Sequence, residues 1–243
     1  MSLRAFGRVL MLVGIEVWAV LDYFFQVVWV PAAQKRRARA AWMQRQAKRH
    51  LRLFNFSVEL TGPLPQSGLL VSNHLSYLDI ILIGSLTPAV FVSKADVRQW
   101  PVFGLLAKLA GTVFIERERR LHVGEVNGQI ASALADGLLV VIFPEGTSTD
   151  GSGVLPFRSP LLEPVAGGDH EITVGRLRYL LPDGDGNPGQ EVCYWGDHVF
   201  FPHLLNLLGK RRVKALVRFG KFGPSTADRK ELARRLQTAV AEL

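Results

Sequence analysis

A chain of 243 residues, 48% hydrophobic and 21% charged, is long enough to bury a full α/β core, and nothing between residues 56 and 243 is composed like a linker between two domains. Lys and Arg outnumber Asp and Glu by 29 to 21, and the net charge of +8 calls for an anionic partner: nucleic acid, acidic lipid, or an acidic carrier or substrate. The one cysteine, Cys193, excludes an intrachain disulfide framework and a cysteine-based metal cluster.

Residues 9–30 are rich in Leu, Val, Phe and Trp, and as a helix they would cover the roughly 30 Å of a bilayer's hydrocarbon. Glu16 and Asp22 interrupt the run. Carboxylates are expensive in lipid, so a span competes with a helix lying in the interface and with a helix packed on its own domain. No small-residue cleavage site follows a short apolar core, and the chain is expected to be unprocessed and to face the cell interior. Pro31 closes the run. Between residues 35 and 52 come Lys35, Arg36, Arg37, Arg39, Arg45, Lys48, Arg49 and Arg52 without one acid. Trp42, Met43 and Leu51 interleave with them in an amphipathic helical pattern, and each such cation is attracted to anionic lipid by about 1 kcal/mol. A nucleic-acid arm would use the same charges but has no use for the adjoining apolar helix. Residues 1–55 therefore read as membrane-associated helices on the cytoplasmic face of an anionic membrane surface, with no nucleic-acid partner.

From residue 56 short strands alternate with helices. Strands are predicted over 58–60, 69–71, 90–92, 113–115 and 138–143, and helices over 77–85, 99–108 and 121–134. Such alternation implies a single α/β domain, 56–243, with a largely parallel, two-sided sheet flanked by helices. Farther on, 172–181 and 191–195 read as strands, 198–208 as a helix, 213–219 as a last strand and 226–243 as an amphipathic helix. Loops at the carboxyl ends of parallel strands share one face, which would bring His74, Arg117 and Glu145 together.

The segment Ser72-Asn73-His74-Leu75-Ser76-Tyr77-Leu78-Asp79 joins a strand to a helix. With the helix starting near Ser76, Asp79 falls in its first turn and can fold back towards the imidazole. A carboxylate accepting the Nδ1 proton fixes the tautomer and leaves Nε2 free to take a proton from a hydroxyl. Ser76 and Asp79 also fit a capping arrangement in which His74 is merely a polar loop residue.

Several other patterns carry no chemistry. Gly184-Asp185-Gly186-Asn187-Pro188-Gly189 matches a dinucleotide fingerprint, but Pro188 and the following β-type run argue for a turn instead of the helix such a site needs. The same loop imitates the opening of a calcium site, yet Pro188 and Tyr194 stand where glycine and glutamate are required. There is no G-x-S-x-G elbow. His122, His170, His198 and His203 lack metal-ligand spacing, so no metal is expected.

Taken in order, Asn73-His74-x-x-x-x-Asp79, Gly111-Thr112-Val113-Phe114-Ile115-Glu116-Arg117 and Phe143-Pro144-Glu145-Gly146-Thr147 resemble the first three motifs of the glycerolipid acyltransferases, the family that includes 1-acylglycerol-3-phosphate acyltransferase. The resemblance covers residues 68–158 well and the rest loosely. It implies transfer of a fatty acyl group from an acyl thioester donor, coenzyme A or acyl carrier protein, to a lysophospholipid acceptor, with no cofactor. His74 would be the general base and Asp79 its orienter. Glu145, Gly146 and Thr147 would bind or orient the acceptor, with backbone amides near Gly146 approaching the developing oxyanion. Arg117, in the motif that Gly111 opens, would pair with an acceptor phosphate, and Lys94 would add a second positive charge. Phosphatidate-forming relatives follow Glu-Gly-Thr with arginine, whereas Ser148 stands here, and Arg158 is the candidate to replace the missing charge. The leading acceptor is 1-acylglycerol-3-phosphate, giving phosphatidate. Ser148 favours the alternatives, a lyso-ornithine lipid or a lysophospholipid with a larger head group, and a non-catalytic anionic-lipid-binding protein is the reading outside enzymes. The fourth motif is blurred between Pro164-Val165 and Ile172-Thr173-Val174. The segment 100–109 reads as a core helix that could also line an acyl groove.

Overall fold

The computed structural model describes residues 3–116 and 120–243. Helix α1 (Leu3–Tyr23) continues through a π-helical turn (Phe24–Val28), and Pro31, which cannot donate within a helix, starts the reversal into α2 (Ala32–Leu53). There follow β1 (Phe56–Thr61), β2 (Gly68–Ser72), α3 (Leu78–Leu86), β3 (Ala89–Lys94), α4 (Phe103–Ala110), β4 (Val113–Ile115), α5 (Arg120–Ala135) and β5 (Leu139–Ile142). The chain ends with β6 (Ile172–Leu180), the single-turn α6 (Pro188–Glu191), α7 (Phe200–Gly209), β7 (Val213–Lys221) and α8 (Arg229–Glu242). Short 3-10 turns occupy Ala95–Gln99 and Pro160–Val165.

The sheet has seven strands in the order β1-β7-β6-β2-β5-β3-β4. It is α/β and largely parallel, as expected, except that β7 runs antiparallel to β6 and carries the parallel β1 with it. A strand buried on both faces needs no alternation. Accordingly Leu69, Leu70 and Val71 of β2 and Leu139 to Ile142 of β5 are all buried. One face (Leu70, Phe91, Val141) packs with Leu51, Leu82 and Leu207, and the other (Leu69, Val71, Val140) packs with Ile130 and Leu236. Each such side chain contributes about 1.5–3 kcal/mol by leaving water, and truncating one to Ala costs about 2–5 kcal/mol.

Three expectations change. Residues 191–195 are not a strand: Asn187 caps the Gly189 N–H at 2.8 Å, Pro188 takes the first helical position, and one turn of helix forms before the chain loops out. These local signals outweigh the β-type residues Val192, Cys193 and Tyr194. The helix expected over 99–108 is split by Pro101 into a 3-10 turn and α4.

The third concerns the N-terminal hairpin. Both carboxylates of α1 face α2: Glu16 Oε1 lies 2.9 Å from His50 Nε2, and Asp22 Oδ2 accepts from Gln46 at 2.7 Å and Arg45 at 3.2 Å. Neither is turned outward. The cations of α2 are also largely engaged, since Lys35, Arg36, Arg37, Arg39, Arg45 and Arg49 all donate within the chain. Of the eight basic residues noted, Lys48 and Arg52 alone have no such bond among the described residues.

Candidate active site

Strand β2 ends at Ser72 and delivers Asn73 and His74 to the carboxyl edge of the sheet, beside the loop that leaves β5. The buried Asn73 side chain clamps this edge to β6, accepting the Leu177 N–H at 2.8 Å and donating to its carbonyl at 3.1 Å. His74 Nδ1 donates to Asp79 Oδ2 at 2.7 Å. That oxygen also accepts the backbone N–H groups of Leu75 at 2.6 Å and Ser76 at 3.0 Å. One carboxylate therefore both holds the ring and ties down the loop that enters α3, while the Ser76 hydroxyl makes no cap of its own. The other oxygen, Oδ1, accepts the Tyr179 hydroxyl at 2.6 Å. Asp79 is fully buried and saturated with donors, which keeps a carboxylate acceptable inside the protein. Burial and the nearby Asp79 charge push Tyr179 well above its ordinary range, so it is a neutral donor. The imidazole stacks on Phe143 at 4.3 Å, and its Nε2 makes no hydrogen bond to another described residue.

Glu145 lies beside His74 but is turned away from the open space. Its Oε1 accepts the His74 N–H at 2.8 Å and its Oε2 the Leu155 N–H at 3.0 Å. Both oxygens are spent on backbone, and the group is 2% exposed. Burial raises its pKa, with the two N–H groups and His74 opposing. Glu145 thus ties the β5 loop to the β2 loop. Gly146, at a positive φ of 78°, donates its own N–H to Phe143 O at 3.1 Å, closing a turn that a side chain would strain.

His74 opens onto a chamber of about 310 Å³ lined by Lys94, Asp96, Trp100, Thr147, Ser148 and Tyr194, among others. Lys94, Gly146 and Thr147 are therefore brought to His74. Gly111 is not: it is the left-handed cap of α4, at φ 79°, against the Arg39 side chain. Arg158 is exposed and touches the motif loop through its N–H to Pro144 O at 2.9 Å, without lining the chamber. Arg117 lies outside the described residues. Tyr77, Ile80, Ser93, Val97 and Trp100 are shared with a second, apolar cavity that runs between α2, α3 and α4 and is lined by Met43, Ala47, Phe103 and Leu106.

Residues 55–169 match the model of a family described as Acyltransferase. The chain is 36% identical, over 79% of its length and 77% of theirs, to a Lyso-ornithine lipid O-acyltransferase of Brucella abortus. To a protein of the same description from Pseudomonas aeruginosa it is 34% identical over 98% of its own length and 90% of that relative. The chain belongs to the acyltransferase family. Its family-level function is acyl transfer from an acyl donor to a lysophospholipid-like acceptor. The acyltransferase is also 31% identical, over 60% of its length and 61% of the relative, to a 1-acyl-sn-glycerol-3-phosphate acyltransferase of Neisseria gonorrhoeae. Its fold is that of the 1-acyl-sn-glycerophosphate (LPA) acyltransferase of Thermotoga maritima, with a TM-score of 0.65 at 16% identity over 97% and 95% of the two chains. Helix α1 and its π-helical turn, Leu3–Val28, are long and apolar enough to cross a membrane by length and composition.

Sequence reasoning missed Tyr179, Tyr194 and Phe143 as parts of this acyltransferase's site. Phe143 adjoins the third motif and was legible as a ring next to the loop. Tyr179 and Tyr194 come from β6 and the α6–α7 connection, a hundred or more residues from His74, and no spacing rule reaches that far.

Proposed function

We propose that this acyltransferase O-acylates the free hydroxyl of a lyso-ornithine lipid, with His74 as general base and an acyl thioester of coenzyme A or acyl carrier protein as donor. The observation that carries the chemistry is the open Nε2 of an imidazole whose Nδ1 is held by a saturated, buried carboxylate. The acceptor hydroxyl gives its proton to Nε2 as its oxygen bonds to the thioester carbon. Collapse of the tetrahedral intermediate breaks the C–S bond, and the imidazolium returns the proton to the leaving thiolate. A thioester is already activated, so no acyl-enzyme is needed. With the Gly146 N–H used in its turn, the amides left to face the developing oxyanion are those of Thr147 and Ser148. The apolar cavity between α2 and α4 takes an acyl chain, since it opens beside His74 and is walled by Ile80, Phe103 and Leu106.

Two points support this acceptor: Ser148 stands where the resemblance to phosphatidate-forming relatives implies an arginine, and the likeness to proteins described as lyso-ornithine lipid O-acyltransferases extends over up to 98% of the chain. Lys94 on the chamber wall favours the second acceptor, 1-acylglycerol-3-phosphate, which would give phosphatidate. Washed membranes offered both lysolipids with an acyl thioester separate the two. Product from lyso-ornithine lipid that vanishes in His74→Ala supports the proposal; product only from 1-acylglycerol-3-phosphate overturns the acceptor.

Residues 1–55 form the membrane-associated part and 56–243 the acyltransferase domain, with α1 lying in the cytoplasmic interface and not crossing it. Arg8 donates to Leu208 O at 3.1 Å and Lys210 O at 2.7 Å, and Trp42 of α2 donates to Ala19 O at 3.0 Å, so α1 is fastened to the end of α7 near its start and to α2 farther on. Its outer face exposes Phe6, Leu10, Val13, Val17 and Trp18. A Leu3→Cys protein in sealed vesicles should react with an impermeant maleimide from the cytoplasmic side; labelling only from the opposite side would establish a span.

A further inference from the structure

The chamber around His74 is not a purely cationic site. Lys94 and Asp96, at the end of β3 and the start of the following 3-10 turn, line it together. The Asp96 carboxylate is exposed and makes no hydrogen bond or ion pair with another described residue. The same chamber is lined by two aromatic rings, Trp100 and Tyr194, whose centroids are 5.8 Å apart at 82°, with Tyr77 5.5 Å from Tyr194.

Tyr194 is seated by specific bonds. Its N–H donates to Leu75 O at 2.8 Å, Ser148 Oγ donates to its carbonyl, and Trp195 Nε1 donates to Gly189 O at 2.8 Å. Leu75 follows His74, so the loop carrying Tyr194 is pinned to the loop carrying the base. Ser148, at the position where the resemblance gives phosphatidate-forming relatives an arginine, is a latch: a short hydroxyl reaches that carbonyl, and a long guanidinium would displace the loop to fit.

We propose that the chamber binds the ammonium of an amino-acid head group between the Asp96 carboxylate and the Tyr194 and Trp100 rings, with Tyr194 as a specificity-determining residue and Ser148 positioning it. The inference rests on the acceptor reading above. An ammonium gains from both a free carboxylate and ring faces, whereas a phosphate gains from neither and is repelled by the carboxylate. Lys94 on the same wall suits the head-group carboxylate.

The test uses the full chain in mixed micelles with three acceptors: lyso-ornithine lipid, the same lipid with its free amine acetylated, and 1-acylglycerol-3-phosphate. Asp96→Asn and Tyr194→Ala should each raise KM for the free-amine lipid about 5- to 30-fold, the range that a carboxylate or ring contact to an ammonium implies, with kcat within about twofold. Tyr194→Phe, which keeps the ring, should stay near wild type, and Ser148→Ala should raise KM less. The acetylated lipid should be a poor acceptor for the wild-type chain and indifferent to Asp96→Asn. If both lipids serve the wild-type chain equally, or KM for the free-amine lipid is unchanged in both variants, the ammonium site is wrong while the acceptor reading stands. Acylation of 1-acylglycerol-3-phosphate with no product from lyso-ornithine lipid would overturn the acceptor reading and this inference with it.

Discussion

Among the described residues are two histidine–carboxylate pairs of nearly equal length, and they are placed differently for catalysis. His74 and Asp79 are 2.7 Å apart, and His50 and Glu16 are 2.9 Å apart. In the second pair Nδ1 faces the Gln46 carbonyl at 2.9 Å, which can only accept, so that nitrogen is the donor, while Nε2 is taken up by Glu16. Both ring nitrogens are consumed, and the His50 side chain is 5% exposed against 21% for His74. His50 also edges the apolar cavity, where no acceptor hydroxyl is expected. A short contact to a carboxylate therefore does not make a base. An open nitrogen facing a chamber does, and so does a carboxylate whose other lone pairs are taken. Glu16 lacks the latter as well, because its Oε2 is buried without a bond.

Substitutions in the two pairs should separate these roles. His74→Ala should lower turnover by about 10²- to 10⁴-fold with the fold intact by circular dichroism, the usual worth of a general base. Asp79→Asn should cost about 100-fold, because an amide can donate to Nδ1 and select the wrong tautomer. Tyr179→Phe removes one donor from Asp79 and should cut kcat about tenfold at nearly constant KM. By contrast, His50→Gln should change kcat by less than about threefold yet lower unfolding free energy by about 1–3 kcal/mol in a denaturant titration. A loss of turnover in His50→Gln as large as that in His74→Ala would erase the distinction.

The smallest effect concerns a third histidine. His203 shares a hydrogen bond with the Tyr77 hydroxyl at 3.1 Å, and burial, aided by His198, pushes its pKa down to about 4. The folded state thus favours the neutral ring, while the unfolded chain protonates near 6.5. Its contribution is complete above pH 6.5 and is lost as the pH falls towards 4, because the unfolded state binds the proton first. Melting curves should show a loss of about 1–3 kcal/mol over that window, and His203→Gln should flatten it.

Legibility in the sequence followed the range of each interaction. His74 and Asp79 were readable because five residues across a strand–helix junction place two side chains within one helical turn. Glu145 was found by its motif, yet its partners, the His74 and Leu155 amides, were not, because a carboxylate in a loop gives no local sign of which amides it will meet. Arg158 and Gly111 likewise sit in recognisable segments, but their places, one exposed outside the chamber and one capping α4, were set by packing that the segments do not record. The 191–195 strand failed because Asn187 and Pro188 start a helix that three β-type residues cannot override.

The sequence by itself determined the sheet class, through runs such as Leu139 to Ile142 that are apolar without alternation, and it determined the base and its orienter, through local spacing. Only the tertiary structure decided how the carboxylates of α1 are paired, that His74 keeps a nitrogen open to the chamber, and that Tyr179 and Tyr194 lie beside it. Those outcomes depend on hydrogen bonds between residues tens to more than a hundred positions apart. Such bonds form because buried polar groups must find partners wherever packing brings them, and no local pattern records where that is.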